Sequence, residues 1–357
     1  MKIEQFFFEL IQVALGIRVC LSHSPTAEEW KALYDMAKKQ SLVGVCFAGV
    51  QLLQQQRQEP PEMLYLTWMG MAAKVQQRNE VVSKQCVEVY EMLKADGLDN
   101  CILKGQGVGR YYGSLKELRQ SGDIDVWVNA TEHDTIKWSI TQSGKKNVHD
   151  YHHIDADVFA DTQVELHFRP TLSRNICRDL KIQKWSKRYA NEFMYDKSVG
   201  FDVSPLEFDV VFILHHIYWH VMFGGCGLRQ LMDLYFVLCQ ERTEVQNAEI
   251  KDSLRYLGME RFASAVMHIM QVVFGLNTEQ LLCEANTKVG EFLLNDILRT
   301  GNMGHHDEIK KKTNGSRLSY LWRDTTYGFR LFRYFPIDVL WIPFGMIYIS
   351  LKGKMIK

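Results

Sequence analysis

The chain has no Cys-x-x-Cys pair, no excess of charge of either sign, no apolar run long enough to cross a bilayer, and no internal repeat or low-complexity tract. Each absence removes a class of protein. Eight cysteines scattered over 357 residues read as reduced thiols, so neither a disulfide framework nor a cysteine-bound zinc site is expected, and a cytoplasmic location is. Basic and acidic residues number 42 each, so no chain-wide basic field advertises nucleic acid, although a local patch would not show in the total. The C-terminal apolar run, residues 339–351, contains Pro343 and Gly345 and falls short of the roughly 20 residues that span a membrane. It reads as a terminal helix or hairpin; Arg330, Arg333, Lys352, Lys354 and Lys357 around it leave peripheral contact with a membrane surface open. At the other end, Glu4 and Glu9 interrupt the apolar stretch, one lysine precedes it and no small-residue cleavage site follows. A first amphipathic helix is expected there rather than a signal peptide.

At about 100 to 200 residues per domain the length suggests two or three units. Helix-period patterning fills residues 1–95, with Trp30, Leu33, Tyr34 and Ala37 on one face and Val82, Cys86, Val89, Tyr90 and Leu93 on another. Thr26 is a candidate N-cap, with Glu28 and Glu29 in the first turn, and Glu59-Pro60-Pro61-Glu62 marks a break between helices. Strand signals cluster between about residues 98 and 204. A second helical region opens after Pro205, so the expected organisation is 1–95 helical, 96–204 a mixed core, and 205–357 helical.

The chemistry concentrates in that core. In Gly122-Asp123-Ile124-Asp125-Val126-Trp127-Val128, alternate side chains of a strand share a face, so Asp123 and Asp125 point together while Ile124, Val126 and Val128 enter the core. Two such carboxylates with a third oxygen donor hold one or two magnesium ions against nucleotide phosphates. Thr162-Gln163-Val164-Glu165-Leu166-His167-Phe168 alternates with Glu165 and His167 on its polar face, which makes Glu165 the natural third carboxylate. Upstream, the strand Asn100-Cys101-Ile102-Leu103 ends in Lys104-Gly105, and Gln106 to Tyr112 is expected to form a short helix. A glycine there lets phosphate approach the backbone and the helix N-terminus, with Lys104 adding a cation.

Leu103-Lys104-Gly105, Tyr111-Tyr112, Arg119-x-x-Gly122-Asp123-Ile124-Asp125 and Val164-Glu165-Leu166-His167 together resemble an uncharacterised bacterial nucleotidyltransferase family of the polymerase-beta-like superfamily. The resemblance is specific over about residues 95 to 170 and looser to about 240. It implies an α+β fold in which a small mixed-sheet core is flanked by helical regions. It further implies that Asp123, Asp125 and Glu165 are the catalytic and metal-binding carboxylates, and that Mg²⁺ (or Mn²⁺) is the cofactor. A nucleoside triphosphate (NTP), ATP among them, would be the donor. Lys104, Gly105, Arg119, Gly122 and His167 fall on the nucleotide side. The superfamily usually carries Gly-Gly or Gly-Ser after the first strand, where this chain has Gly105-Gln106; Gly113-Ser114 follows the expected helix and reads as its terminating loop.

Other polar residues have two readings each. Arg119 either neutralises phosphate or is an exposed loop arginine, and His167 either reaches phosphate and orients Glu165 or is a satisfied rim histidine. Adjacent His152 and His153 would face opposite sides of a strand and so could not serve one site. His216 and His220 share a helix face at a spacing zinc ligands also use, but without the intervening glutamate of a zincin a packing or substrate-contact role is expected. Arg229 and Asp233 stand four apart, as a helix salt bridge or as part of a closing cleft. The expected activity is metal-dependent transfer of an NMP from an NTP to a hydroxyl or phosphate acceptor that the sequence does not identify. A non-catalytic nucleotide-binding or regulatory module, or a metal-dependent phosphoesterase, is the alternative.

Overall fold

A computed structural model describes residues 3–144, 149–304 and 317–354; Met1, Lys2 and Lys357 lie outside them, as does the side chain of Lys354. Four helices lead the chain: α1 (Ile3–Ala14), α2 (Ala27–Lys39), α3 (Val43–Gln54) and α4 (Glu62–Ala95). Helix α2 starts where Thr26 accepts from the Glu29 amide and Glu29 accepts from the Thr26 amide, so two orphan N–H groups are answered reciprocally. Its buried residues are Trp30, Leu33, Tyr34 and Ala37, as the periodicity predicts. Pro60 and Pro61 separate α3 from α4 because neither can donate to a continuing helix.

The central segment alternates: β1 (Asn100–Ile102), α5 (Lys104–Gly109), β2 (Ile124–Val128), α6 (Glu132–Ser143), β3 (His153–Ala156) and β4 (Val164–His167). The four strands form one mixed sheet in the order β1-β2-β4-β3, with β2 and β4 parallel and the outer pairs antiparallel. After α7 (Ile176–Ser186) comes a ribbon of β5 (Met194–Asp196) and β6 (Phe201–Val203). The remainder is helical: α8 (Leu206–Trp219), α9 (Leu228–Leu238), α10 (Glu244–Leu257), α11 (Glu260–Phe274), α12 (Thr287–Thr300), α13 (Arg317–Phe329) and α14 (Pro336–Lys354). The fold is therefore α+β, a small mixed sheet between helical flanks.

Strand alternation decides which side of the sheet each residue serves. Ile124, Val126, Val128, Val164 and Leu166 pack with Val82, Cys86, Val89 and Leu93 of α4, and each fully buried side chain of this size contributes about 1.5–3 kcal/mol. On the opposite face Trp127 stacks on Phe208 of α8 at 5.2 Å between ring centroids, and Phe208 stacks on Trp185 of α7 at 5.0 Å. Asp125 shares the Trp127 face. The leading and trailing helices join in one core, where the Leu228 amide at the start of α9 donates to the Gln40 side chain at 2.9 Å.

The segment between β1 and β2 departs from the expected helix over 106–112. Helical geometry begins at Lys104, stops at Gly109, and resumes as a 3₁₀ helix over Gly113–Leu118 where a loop is expected. Lys104 and Gly105 both take positive φ, 30° and 38°, which breaks the ladder at its start and leaves too short a piece to run on. The 3₁₀ helix is seated by α3. A Cβ on Gly44 would stand 2.3 Å from the Leu118 carbonyl oxygen, so only glycine admits this approach, and the next residues, Arg119 to Asp123, form one wall of the cleft described below.

Gly44→Ala is expected to destabilise the protein by about 1–3 kcal/mol through overpacking. Gly70→Ala, on an exposed part of α4 with nothing within 4 Å of the new methyl, should stabilise by about 0.5–1 kcal/mol. Urea unfolding of the two variants checks both signs.

Candidate active site

A cleft of about 650 Å³ opens between the Asp125 face of the sheet and helices α8 and α9, within the usual size for a small-molecule site. Its floor is set by strand register. In the parallel pair β2/β4, Asp125 stands opposite Glu165, so two carboxylates project side by side from neighbouring strands. Asp123 precedes β2, is exposed, and lines the same cleft. The three predicted carboxylates thus line one cleft together with Lys104, Gly105 and Gly122, although among the described residues the metal-ligating sets join Asp125 to Glu165 without Asp123; Gly113 and Ser114 are not among the lining residues.

Asp125 is buried and answered by two cations. Lys104 Nζ lies 2.8 Å from its Oδ1, and His167 Nε2 donates to the same oxygen at 2.9 Å. His167 Nε2 also lies 3.5 Å from Glu165 Oε2. Burial pushes the Asp125 carboxyl up, but the Lys104 charge and the His167 hydrogen bond outweigh it and hold the group below its ordinary range. Glu165 behaves alike: burial raises it, and the bond from His167 with the charges around it brings it below the usual value. Burial opposes the charge on His167, yet its bonds to Asp125 and Glu165 raise it from 6.5 to about 9. At neutral pH this floor is two carboxylates threaded by an ammonium and an imidazolium.

Opposite, α9 supplies a second charged set, arranged differently from either sequence reading. Asp233 does not close a salt bridge with Arg229 four residues earlier. It accepts from Arg119 Nε at 2.7 Å and Nη2 at 2.8 Å, and the Tyr112 hydroxyl donates to it as well. Arg119 is therefore neither an exposed loop arginine nor a free cation; a planar guanidinium matches a carboxylate in a fork, and the long-range pair wins over the local one. Arg229 instead donates through Nη1 to the Gln120 carbonyl at 2.8 Å. Arg119 Nη1 and Arg229 Nε are buried with no hydrogen-bond partner, and both arginines line the cleft. Two unanswered guanidinium N–H groups make this wall receptive to an anion.

The histidines also need correction. His152 and His153 both line the cleft, with His152 Nε2 and His153 Nδ1 3.0 Å apart. Alternation starts only at His153, the first residue of β3; His152 lies in the preceding bend, where a strand's two-residue period does not apply. His216 and His220 face the cleft too, their rings 4.4 Å apart, and among the described residues no metal-ligating set includes them. Thr171, Trp219 and Asn302 complete the far wall, without a local sequence signal for any of them.

A mixed sheet bearing a strand-start Asp-x-Asp beside a register-paired glutamate, with a Lys-Gly turn at its edge, defines a nucleotidyltransferase type of core. A family model described as uncharacterised nucleotidyltransferase matches residues 26–275, and the chain belongs to that family. No curated protein and no solved structure matches it.

The charge arrangement has a measurable pH signature. His167 is raised in the folded state, so its stabilising contribution is complete below the unfolded value of 6.5 and is lost as pH rises through about 9. In metal-free buffer, His167→Gln is expected to cost on the order of 1–3 kcal/mol at pH 6.5 and much less at pH 9.5. Urea unfolding at the two pH values, wild type against variant, checks the sign; an equal cost at both would mean the imidazolium is not the stabilising form.

Proposed function

We propose that this chain is a metal-dependent nucleotidyltransferase that moves an NMP from an NTP to a hydroxyl or phosphate acceptor. The observation that carries the reading is the pairing of Asp125 with Glu165 across parallel strands while Asp123 stands at the rim of the same cleft. The donor chemistry fits Mg²⁺ or Mn²⁺, hard ions that prefer carboxylate oxygen, and Asp125, Glu165 and His167 already bring ligand atoms within 4.8 Å of one another. Asp123, Asp125 and Glu165 would hold the ion, which when bound supplies Lewis-acid stabilisation of the phosphates and lowers the pKa of the acceptor hydroxyl.

In the reaction the acceptor oxygen attacks the α-phosphorus, a P–O bond forms, the bond to the β-phosphate oxygen breaks, and pyrophosphate leaves. Glu165, held ionised by His167, is the acceptor for the incoming hydroxyl's proton. Gly105, with φ of 38° and no atom closer than 4.0 Å to where a Cβ would stand, brings bare backbone to the edge of the cleft, with Lys104 beside it. The unpartnered N–H groups of Arg119 and Arg229 are suited to the charge on the leaving pyrophosphate or on a phosphorylated acceptor. Helices α8 and α9 form the acceptor side.

Asp123→Asn and Glu165→Gln are each expected to lower turnover by at least about a hundredfold. Asp123 is exposed, so its variant should keep wild-type stability. Asp125→Asn should lose activity and also about 3 kcal/mol of stability, because it strips Lys104 and His167 of their shared buried anion. The assay is pyrophosphate release from each of the four NTPs with magnesium in the presence of a metabolite extract. Wild-type turnover by Asp123→Asn would remove it from the site, and failure to bind any NTP with magnesium would favour a regulatory module.

We also propose that the α13–α14 hairpin, outside the family match, meets an anionic membrane surface. No helix among the described residues is long and apolar enough to cross one. Along α14, Ile337, Leu340, Phe344, Ile347 and Leu351 are all exposed and recur at helical spacing, so they form a stripe on one face. The two acids of the hairpin, Asp324 and Asp338, are buried against Arg174 and Arg178, whereas Arg333 and Lys352 are exposed. Arg330 does not belong to that set, since it is turned inward to Asp296 at 2.9 Å. An apolar stripe with cations and no exposed acid suits the boundary of a negatively charged bilayer. Leu340→Glu with Phe344→Glu should abolish co-sedimentation with phosphatidylserine vesicles; binding of the wild type to neutral vesicles alone, or a stable dimer lost in the double variant, would overturn the assignment.

A further inference from the structure

Strand pairing gathers three imidazoles at the end of the cleft beside the carboxylates. His153 of β3 and His167 of β4 are register partners, so their side chains leave the same face of the sheet as cross-strand neighbours. His152 turns in from the bend before β3, its backbone fixed by the Arg169 amide, which donates to the His152 carbonyl at 3.1 Å. Ring centroids are 4.3 Å apart for His152–His153, 5.4 Å for His152–His167 and 5.2 Å for His153–His167. One nitrogen from each ring lies within 4.8 Å of the others.

Two features separate this cluster from ordinary packing. His152 Nδ1 and His167 Nδ1 are buried and have no hydrogen-bond partner, a state that costs free energy unless a ligand answers it. His167 is also anchored from behind: its Nε2 donates to Asp125, and a metal-binding histidine characteristically gives its second ring N–H to a carboxylate, which fixes the ring and strengthens the other nitrogen as a donor; the ion would take the place of the proton that Nδ1 carries while His167 is an imidazolium, releasing it to solvent. We propose that His152, His153 and His167 form a site for a borderline transition-metal ion of the Zn²⁺ or Co²⁺ class, distinct from the oxygen site of Asp123, Asp125 and Glu165.

The cleft then has a nitrogen end and an oxygen end, joined by His167, and the two select different ions: imidazole favours zinc-type metals, whereas carboxylate oxygen suits magnesium. Three protein ligands leave a position for water or a substrate oxygen. Since the site faces the cleft, that position is available to the acceptor. The inference rests on the three histidines and on the hold of Asp125 on His167, and it stands whether or not the chain transfers nucleotides.

The test is Co²⁺ titration of the full chain after chelator dialysis, followed by visible absorption in a large excess of Mg²⁺. One equivalent should bind with the intense visible bands of a low-coordinate nitrogen site. His152→Ala should weaken Co²⁺ by roughly a hundredfold or more, while Asp123→Asn should leave it unchanged. X-ray absorption of the Zn²⁺-loaded wild type, which needs no variant to fold, should count three imidazole ligands. Displacement of Co²⁺ by Mg²⁺, wild-type affinity in a folded His152→Ala, or fewer than three imidazoles on zinc would overturn the proposal. Loss of Co²⁺ binding in Asp123→Asn would also overturn it, by assigning the ion to the carboxylates. Pyrophosphate release plays no part in the readout, so failure here and failure of nucleotidyl transfer are told apart.

Discussion

A carboxylate placed in the interior of a protein must be answered by positive charge, and much of this cleft is arranged around how Asp125 is answered. Strand β2 needs Ile124, Val126 and Val128 against α4, and the two-residue period then leaves Asp125 no choice but the opposite face. There it is covered by helices and reached by little water. Lys104 comes to it from the turn after β1 and His167 from β4. Each of these cations is placed by the backbone: Lys104 at a positive φ that residues other than glycine seldom adopt, and His167 at the last position of β4, in register with Trp127 and His153. The same arrangement keeps Asp125 and Glu165 ionised without a metal, so on the proposed reading the seat is assembled in advance, and an incoming divalent ion would have to displace charge that already satisfies it.

The second constraint is the Arg119–Asp233 fork. It ties the segment leading into β2 to helix α9, and so fixes the width of the cleft by a bond between its walls. Burial strengthens the bond and makes both partners costly to separate. Arg229, deprived of Asp233, is pushed below its ordinary value by burial and by the neighbouring Arg119 charge. Two like charges facing one cavity is an unfavourable arrangement for the protein alone and a favourable one once an anion lies between them. The helical region after the sheet therefore contributes charge to the site as well as cover.

What could be read from the chain and what could not divides along sequence separation. The meeting of Asp125 with Glu165 was legible because each lies in an alternating apolar strand whose core side is unambiguous, and two parallel strands of that kind bring their polar faces together; Asp123 stands just before its strand and follows it into the same cleft. The cap of α2 and the apolar faces of α2 and α4 were legible for the same local reason. The Arg119–Asp233 pair was not, since nothing in the spacing of Arg229 and Asp233 reveals that a guanidinium more than a hundred residues away will take the carboxylate. His152 was misread through one residue of register: had β3 begun at His152, the two histidines would have faced apart. The turn at Lys104-Gly105 showed as a break without any local sign of its positive φ values, and the 3₁₀ helix after it is seated where Gly44 admits Leu118, a contact between distant segments.

This division bears on how the site itself is built. Of the residues assigned to chemistry, Asp125 and Glu165 are carried on β2 and β4, where strand period and register set their positions, and Asp123 stands immediately before β2. The residues suited to choosing a partner, among them Arg229, His216, Trp219 and Asn302, are carried on helices and turns whose placement relative to the sheet is set by long-range packing. A change in those helices reaches the strands through two contacts, Phe208 of α8 on Trp127 and Asp233 of α9 on Arg119, while the other face of the sheet keeps its own core against α4. On the proposed reading the sheet would set the donor half of the reaction and the helices the acceptor half, which is why the strands announce a reaction class and the helices do not announce a substrate.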